Sequence, residues 1–276
     1  MSQAHRAIRP KTKRPNRRSE PLTSFNARLL VRVDDAGTSL AANQGCERAV
    51  RDGIARSIEI MMPGAWVCDA ADRFSNLPGV DIGIHLTLTS EWERVKWRPL
   101  THAPTLVDEH GFFRPSFEPS AWNLAEIEAE FRAQIDLGTR LFTQSSHISS
   151  HMIRHFEDVD PRLGKMVRAL AEHFNLRDDL LGTDGLPRVA GYPPFPRDAE
   201  PRVASFVETL SSLAAGASIF VDHPAVLSDE MRAQGHVAYE DVAEDRAACL
   251  AVLTDPRVAD AVHQHDVELI SYRDLD

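Results

Sequence analysis

Residues 27–39, Ala-Arg-Leu-Leu-Val-Arg-Val-Asp-Asp-Ala-Gly-Thr-Ser, decide the fold. The apolar run over 27–33 reads as a β-strand, and it closes on two adjacent carboxylates, Asp34 and Asp35. Ala36-Gly37 supplies a turn, and Ser39 is a helix N-cap ahead of a helical stretch near 40–53. The unit is strand, acidic strand end, turn, helix. Working outward, the same alternation continues. Strands are expected at 57–62, 80–85, just before His147, at 218–223 and at 267–271. Helices are expected near 65–75, over 123–143 with Asn123 as cap, after Pro161, and near 240–253. In the helix over 123–143, Leu124, Ile127, Phe131 and Ile135 fall at helical spacing. Alternating β and α units imply an α/β fold with a mostly parallel sheet, and active residues at the ends of its strands.

Two long stretches interrupt the alternation. Residues 89–121 are rich in Pro, Trp and His, and residues 181–199 in Gly and Pro; both read as loops. A loop as long as the first is usually functional or disordered.

The chain of 276 residues is long enough for one sizeable core, and neither a repeat nor an internal linker divides it. The expected organisation is a basic, disordered tail over 1–24 and a single catalytic domain over 25–276. The first 20 residues carry seven Lys/Arg against one Glu, although the whole chain has a net charge of −10. The body is therefore strongly acidic, which argues against a nucleic-acid partner. No run approaches the roughly 20 apolar residues of a membrane span, and no apolar signal segment opens the chain. Cys46, Cys68 and Cys249 are scattered and odd in number. That spacing fits neither a disulfide framework nor a cysteine zinc site, and it suits the cytoplasm.

The candidate site residues stand at strand ends. Asp34 and Asp35 would point to opposite faces of a regular strand, but that geometry loosens where a strand stops. Together they offer a metal ligand and a general base; aspartates there also suit a cap or a turn. His85 ends the run Val-Asp-Ile-Gly-Ile-His, where a satisfied core histidine is the competing reading. His147, His151 and His155 are spaced by four, which on a helix would align them on one metal-binding or solvated face. His223, in Asp222-His223-Pro224, closes another strand and is a candidate acid. Trp92, Trp97 and Trp122 lie in or beside the long loop, where they would either stack on a sugar or cover a small satellite core.

At these residues the chain resembles the YdjC-like carbohydrate deacetylases, which include chitooligosaccharide deacetylases. The likeness spans about 27–276. It runs through Asp34–Ser39 with Asn43 and Gly45, then Gly53-Ile54, Ser57 and Gly83–Leu88. It continues through the His147–His151 cluster, His223-Pro224 and the final VLTDPRV…VELISYRDL. The resemblance implies a distorted (β/α) barrel of the polysaccharide-deacetylase type. It also implies a divalent metal, Mg or Zn, held by Asp35, His85 and His151. Asp34 would then be the general base and His223 the acid, with His147 and His155 supporting the site and Trp92 and Trp97 contacting substrate. The implied activity is metal-dependent hydrolysis of the N-acetyl group of an amino sugar or oligosaccharide. A metal-dependent amidohydrolase or esterase on a non-sugar substrate, or a binding protein without turnover, are the alternatives. The expected partner is a small carbohydrate, with no nucleic acid and no membrane, and with room for a homo-oligomer. Two positions depart from the family pattern: Ala36 where Phe is usual, and Ser149 where Asp is usual. A missing carboxylate behind a metal ligand would weaken or retune the site.

The tail generates a test. Deleting residues 1–20 should leave both melting temperature and turnover nearly unchanged; a large loss of either would show that the segment belongs to the folded domain.

Overall fold

The computed structural model describes residues 27–178 and 185–275. The tail and part of the second loop lie outside these residues. Strand β1 (Ala27–Ala36) leads through the Ser39 cap, whose side chain accepts from Ala42 N, into α1 (Leu40–Arg51). The units β2 (Ser57–Ile60), α2 (Val67–Phe74), β3 (Asp81–Leu86), α3 (Leu124–Leu141), β4 (Ser145–Ser150) and α4 (Pro161–Phe174) follow. The chain continues through β5 (Arg177–Asp178), α5 (Ala199–Ser211), β6 (Gly216–Asp222), α6 (Asp229–Arg232), α7 (Val242–Thr254), α8 (Pro256–Gln264) and β7 (Val267–Ile270). The sequence reading did not name α5, α6, α8 or the two-residue β5.

Every pairing between these described strands is parallel, in the order β5-β4-β3-β2-β1-β6. β7 pairs with Ala27–Leu30 of β1, while β2 pairs with Arg32–Ala36. Since β6 runs along Ala27–Val33, β2 and β7 must share the opposite edge of β1. The sheet curls into a half-barrel with helices packed outside, an open form of the expected barrel.

Strand periodicity sorts the two faces. Leu29, Val31, Val33, Ile58, Ile60, Ile82, Ile84, Leu86 and Ile148 belong to the large core that includes residues of the surrounding helices. The alternate positions face the concave side. There a small apolar floor of Leu30, Ile219, Val221, Ile270, Tyr272 and Leu275 closes the base. Above it stands a polar column: Arg32 and Asp34 on β1, Glu59 on β2, His85 on β3, and His147 and Ser149 on β4, all buried.

Helix α3 explains the order of the long loop. Ile127, Phe131 and Ile135 are fully buried, as the periodicity predicts, but Glu130 and Gln134 are fully buried too. Glu130 accepts from Leu100 N and from Thr101 N and Oγ1, and Gln134 bonds both backbone groups of Thr87. Buried acceptors of this kind tie an irregular segment down, because unpaired they would each cost about 1–3 kcal/mol.

One expectation is corrected here. His147, His151 and His155 do not share a helix face. His147 is in β4, His151 follows its last residue, and His155 caps a short 3-10 turn at Phe156–Asp158. The relevant period is two, so His147, Ser149 and His151 climb the concave face in steps.

Gly83 provides the packing test. A Cβ at this position would lie 1.9 Å from Glu59 Oε2 and 2.4 Å from His147 Nε2. Gly83→Ala should therefore destabilise the fold by about 1–3 kcal/mol, read as a lower urea midpoint. An unchanged midpoint would mean that the column has slack.

Candidate active site

The site begins with an irregularity in β1. Val33 pairs with Ile58 and Ala36 with Ile60, so the 34–35 step holds one residue more than its partner strand. Asp35 absorbs the bulge with φ of 70°, a conformation that Asp tolerates better than most residues. The consequence is that both carboxylates reach the same histidine: His85 Nε2 lies 3.7 Å from Asp34 Oδ2 and 3.8 Å from Asp35 Oδ1. Ala36, which ends the bulge, is fully buried.

Asp35, His85 and His151 each present one ligand atom, and these atoms lie within 4.8 Å of one another. His151 Nδ1 is 3.2 Å from Asp35 Oδ1, yet both are buried atoms without a hydrogen-bond partner, as is Asp34 Oδ1. Buried polar atoms left unpaired are costly, and here they converge. The outward nitrogen of each imidazole is held: His85 Nδ1 lies 2.7 Å from Ser149 Oγ, and His151 Nε2 lies 3.1 Å from Glu91 Oε2. One carboxylate with two imidazoles, each braced from behind, is a donor set that suits a divalent ion.

The surrounding charges bias these groups. Burial lowers the His85 pKa to about 4, which leaves a neutral imidazole at ordinary pH. Burial also opposes charge on His151, but Glu91 and Asp35 outweigh it and raise the value to about 10. Burial acts upward on Asp35, whereas His151, Arg246 and His85 together hold its carboxyl far below the usual range. Asp34 Oδ2 accepts from Arg32 Nη2 at 2.7 Å in a fully enclosed pair, so Oδ1 is the oxygen left without a hydrogen-bond partner.

The remaining expected residues are placed as follows. His223 is 34% exposed, with Nε2 4.0 Å from Asp35 Oδ2. His147 sits lower, bonded through Nε2 to Glu59 Oε1 at 2.7 Å and stacked on Tyr272. His155 lies apart from the cluster, with Nε2 3.2 Å from Asp178 Oδ2. Trp92 and Trp97 are both buried. Trp97 meets the His151 ring edge-on at 6.0 Å, and its Nε1 donates to Thr89 O. Trp92 stacks against His236 and, with Tyr239, lines a cleft of about 370 Å³ that opens over the aspartates and His151.

Sequence reasoning missed Glu59, Glu91, Arg246 and Arg32. Glu59 had a signal: a carboxylate inside the apolar run Ser-Ile-Glu-Ile-Met-Met. Arg246, whose Nη2 lies 3.4 Å from Asp35 Oδ2, sits in a helix about 210 positions downstream and had none.

The all-parallel half-barrel is a polysaccharide-deacetylase-like fold, and it carries an Asp-His-His cluster at its strand ends. The comparisons agree on that fold. A crystal structure from Enterococcus faecalis V583, provisionally assigned as a cellobiose-phosphate cleavage protein, superposes with a TM-score of 0.74 at 22% identity, covering 91% of this chain and 99% of that one. The catalytic domain of a peptidoglycan N-acetylglucosamine deacetylase from Eubacterium rectale gives 0.50 at 9% identity, over 92% of each chain. The chain belongs to the YdjC-like protein family, whose sequence profile matches residues 28–264. A carbohydrate deacetylase of Thermus thermophilus is 31% identical over 228 residues, 74% of this chain and 80% of that protein. Another, from Geobacillus stearothermophilus, is 30% identical over 254 residues, 89% and 97% respectively.

The two histidines set opposite pH limits on the metal-free protein. His85 holds its proton less tightly when folded, so its contribution is lost as pH falls from about 6.5 towards 4. His151 holds its proton more tightly when folded, so its contribution is complete below about 6.5 and is lost as pH rises towards 10. The urea midpoint of chelator-treated protein should therefore peak near neutrality, and His151→Gln should flatten the alkaline limb. An alkaline limb unchanged in that variant would contradict the assignment.

Proposed function

We propose that this chain hydrolyses the N-acetyl group of an amino sugar or short oligosaccharide, releasing acetate, with a divalent ion held by Asp35, His85 and His151. The carrying observation is the convergence of their ligand atoms, two of them unpaired, next to Asp34, whose Oδ2 lies 3.7 Å from His85 Nε2 and whose Oδ1 has no hydrogen-bond partner. Membership of the YdjC-like family and relatives named carbohydrate deacetylases point to the substrate class.

Bound there, a divalent ion would polarise the acetyl carbonyl and acidify a water. The protein supplies the proton traffic. Asp34 accepts the proton of the attacking water at Oδ1, while Arg32 fixes its other oxygen. His223, the more exposed group on the cleft side, donates a proton to the departing amine. Arg246 holds the second oxygen of Asp35, so that carboxylate turns its other oxygen towards the histidines. The cleft beside Trp92 and Tyr239 receives the sugar.

The primary test is acetate release from N-acetylated chitooligosaccharides, with and without chelator. Turnover abolished by chelator and restored by added Zn or Mg supports the reading. Chelator-insensitive release removes the ion from it, and a metal-loaded protein without release removes the activity. The aspartates then separate by role. Asp35→Asn should lose ion affinity and activity together. Asp34→Asn should keep its ion while activity drops by roughly 100-fold or more. Near-normal turnover in Asp34→Asn would exclude it as the base.

A further inference from the structure

Behind His85 stands a carboxylate supplied from a different strand. Glu59 is fully buried at the centre of β2, and three donors converge on it. Ser57 Oγ and His147 Nε2 reach Oε1 at 2.8 and 2.7 Å, and Ser149 Oγ reaches Oε2 at 2.5 Å. Ser149 is in turn 2.7 Å from His85 Nδ1. The geometry points to Glu59, acting through Ser149, as the positioning residue that sets the orientation and tautomer of His85.

The argument is proton bookkeeping. A hydroxyl has one proton to give and two lone pairs to offer. Glu59 as a carboxylate only accepts, so the Ser149 proton goes to Oε2. The face that Ser149 turns to His85 is then an acceptor, and Nδ1 must carry the ring proton. That leaves Nε2 bare, 3.7–3.8 Å from the two aspartates. If Ser149 donated to His85 instead, the ring proton would sit on Nε2 and cover the lone pair. Oε2 would also lose the hydrogen-bond donor that Ser149 supplies. The chain has made room for this relay: the missing side chain of Gly83 is where Glu59 Oε2 lies. Removing such an outer partner typically costs about 10–100-fold in metal affinity.

The functional consequence rests on the metal-centre reading above, but the tautomer does not, and the experiment separates them. Nitrogen-15 NMR of the metal-free full chain, with His85 assigned by its loss in His85→Gln, should show Nδ1 protonated and Nε2 bare. Glu59→Gln and Ser149→Ala should each shift His85 towards a mixed tautomer. Zn titration by calorimetry should show affinity lowered by roughly 10–100-fold in both. Glu59→Gln combined with Ser149→Asp, which places a carboxylate directly behind Nδ1, should recover most of that loss. A merely structural Glu59 would not be rescued from position 149. If Glu59→Gln fails to fold, Ser149→Ala, which deletes one hydroxyl, carries the test. A wild-type His85 protonated on Nε2, or a tautomer indifferent to both single changes, overturns the relay. Tautomer shifts as described in a protein that binds no divalent ion would uphold the relay and sink the metal reading instead.

Discussion

The extra residue in β1 is the constraint on which the site depends. Without it, Asp34 and Asp35 would alternate across the sheet, one in the helix-side core and one above the concave column. The bulge, with Asp35 in the left-handed region, brings both carboxylates to His85. One acid can then serve as ligand while its neighbour stays free to take a proton. Gly37, also at positive φ, completes the turn, and a Cβ there would press on Met61 O at 2.8 Å.

Such a site is expensive to build. Arg32, Asp34, Glu59, His85 and His147 are all essentially removed from water, and burying ions costs several kcal/mol each unless partners compensate. Compensation is local and nearly complete below the cluster. Arg32 bonds Asp34 and Tyr272, and Glu59 gathers three donors. At the top, Asp34 Oδ1, Asp35 Oδ1 and His151 Nδ1 are left over. These three atoms lie where chemistry is needed. The apolar core on the other face of the sheet offsets the cost, since each fully buried Leu, Ile, Val or Phe is worth about 1.5–3 kcal/mol.

The long loop is structural as well as a wall of the cleft. Gln134 holds its start at Thr87, Glu130 holds Leu100 and Thr101, and Glu126 holds Thr105. That tethering places Glu91 against His151 and the Trp97 ring beside it. One ligand is therefore braced by the loop, the other by the sheet through Ser149.

Much of this was legible in order along the chain. The alternation in Arg-Leu-Leu-Val-Arg-Val-Asp-Asp and Asp-Ile-Gly-Ile-His states which residues face the helices and which face inward. The periodicity over 124–141 and the caps at Ser39 and Asn123 mark helix positions, because these signals are local. The adjacency of Asp34 and Asp35 with a following His85 already named most of the cluster. What tertiary structure alone decided is what depends on register between strands distant in sequence. His147, His151 and His155 have a spacing that suits a helix, yet His147 and His151 came to one concave face because β4 pairs beside β3. Glu59 became the partner of Ser149, 90 positions away, because β2, β3 and β4 lie side by side. Arg246 reached Asp35 because α7 packs against α1, over the end of β1. Periodicity reports which face a residue takes; only the closed set of strand pairings determines what it meets there.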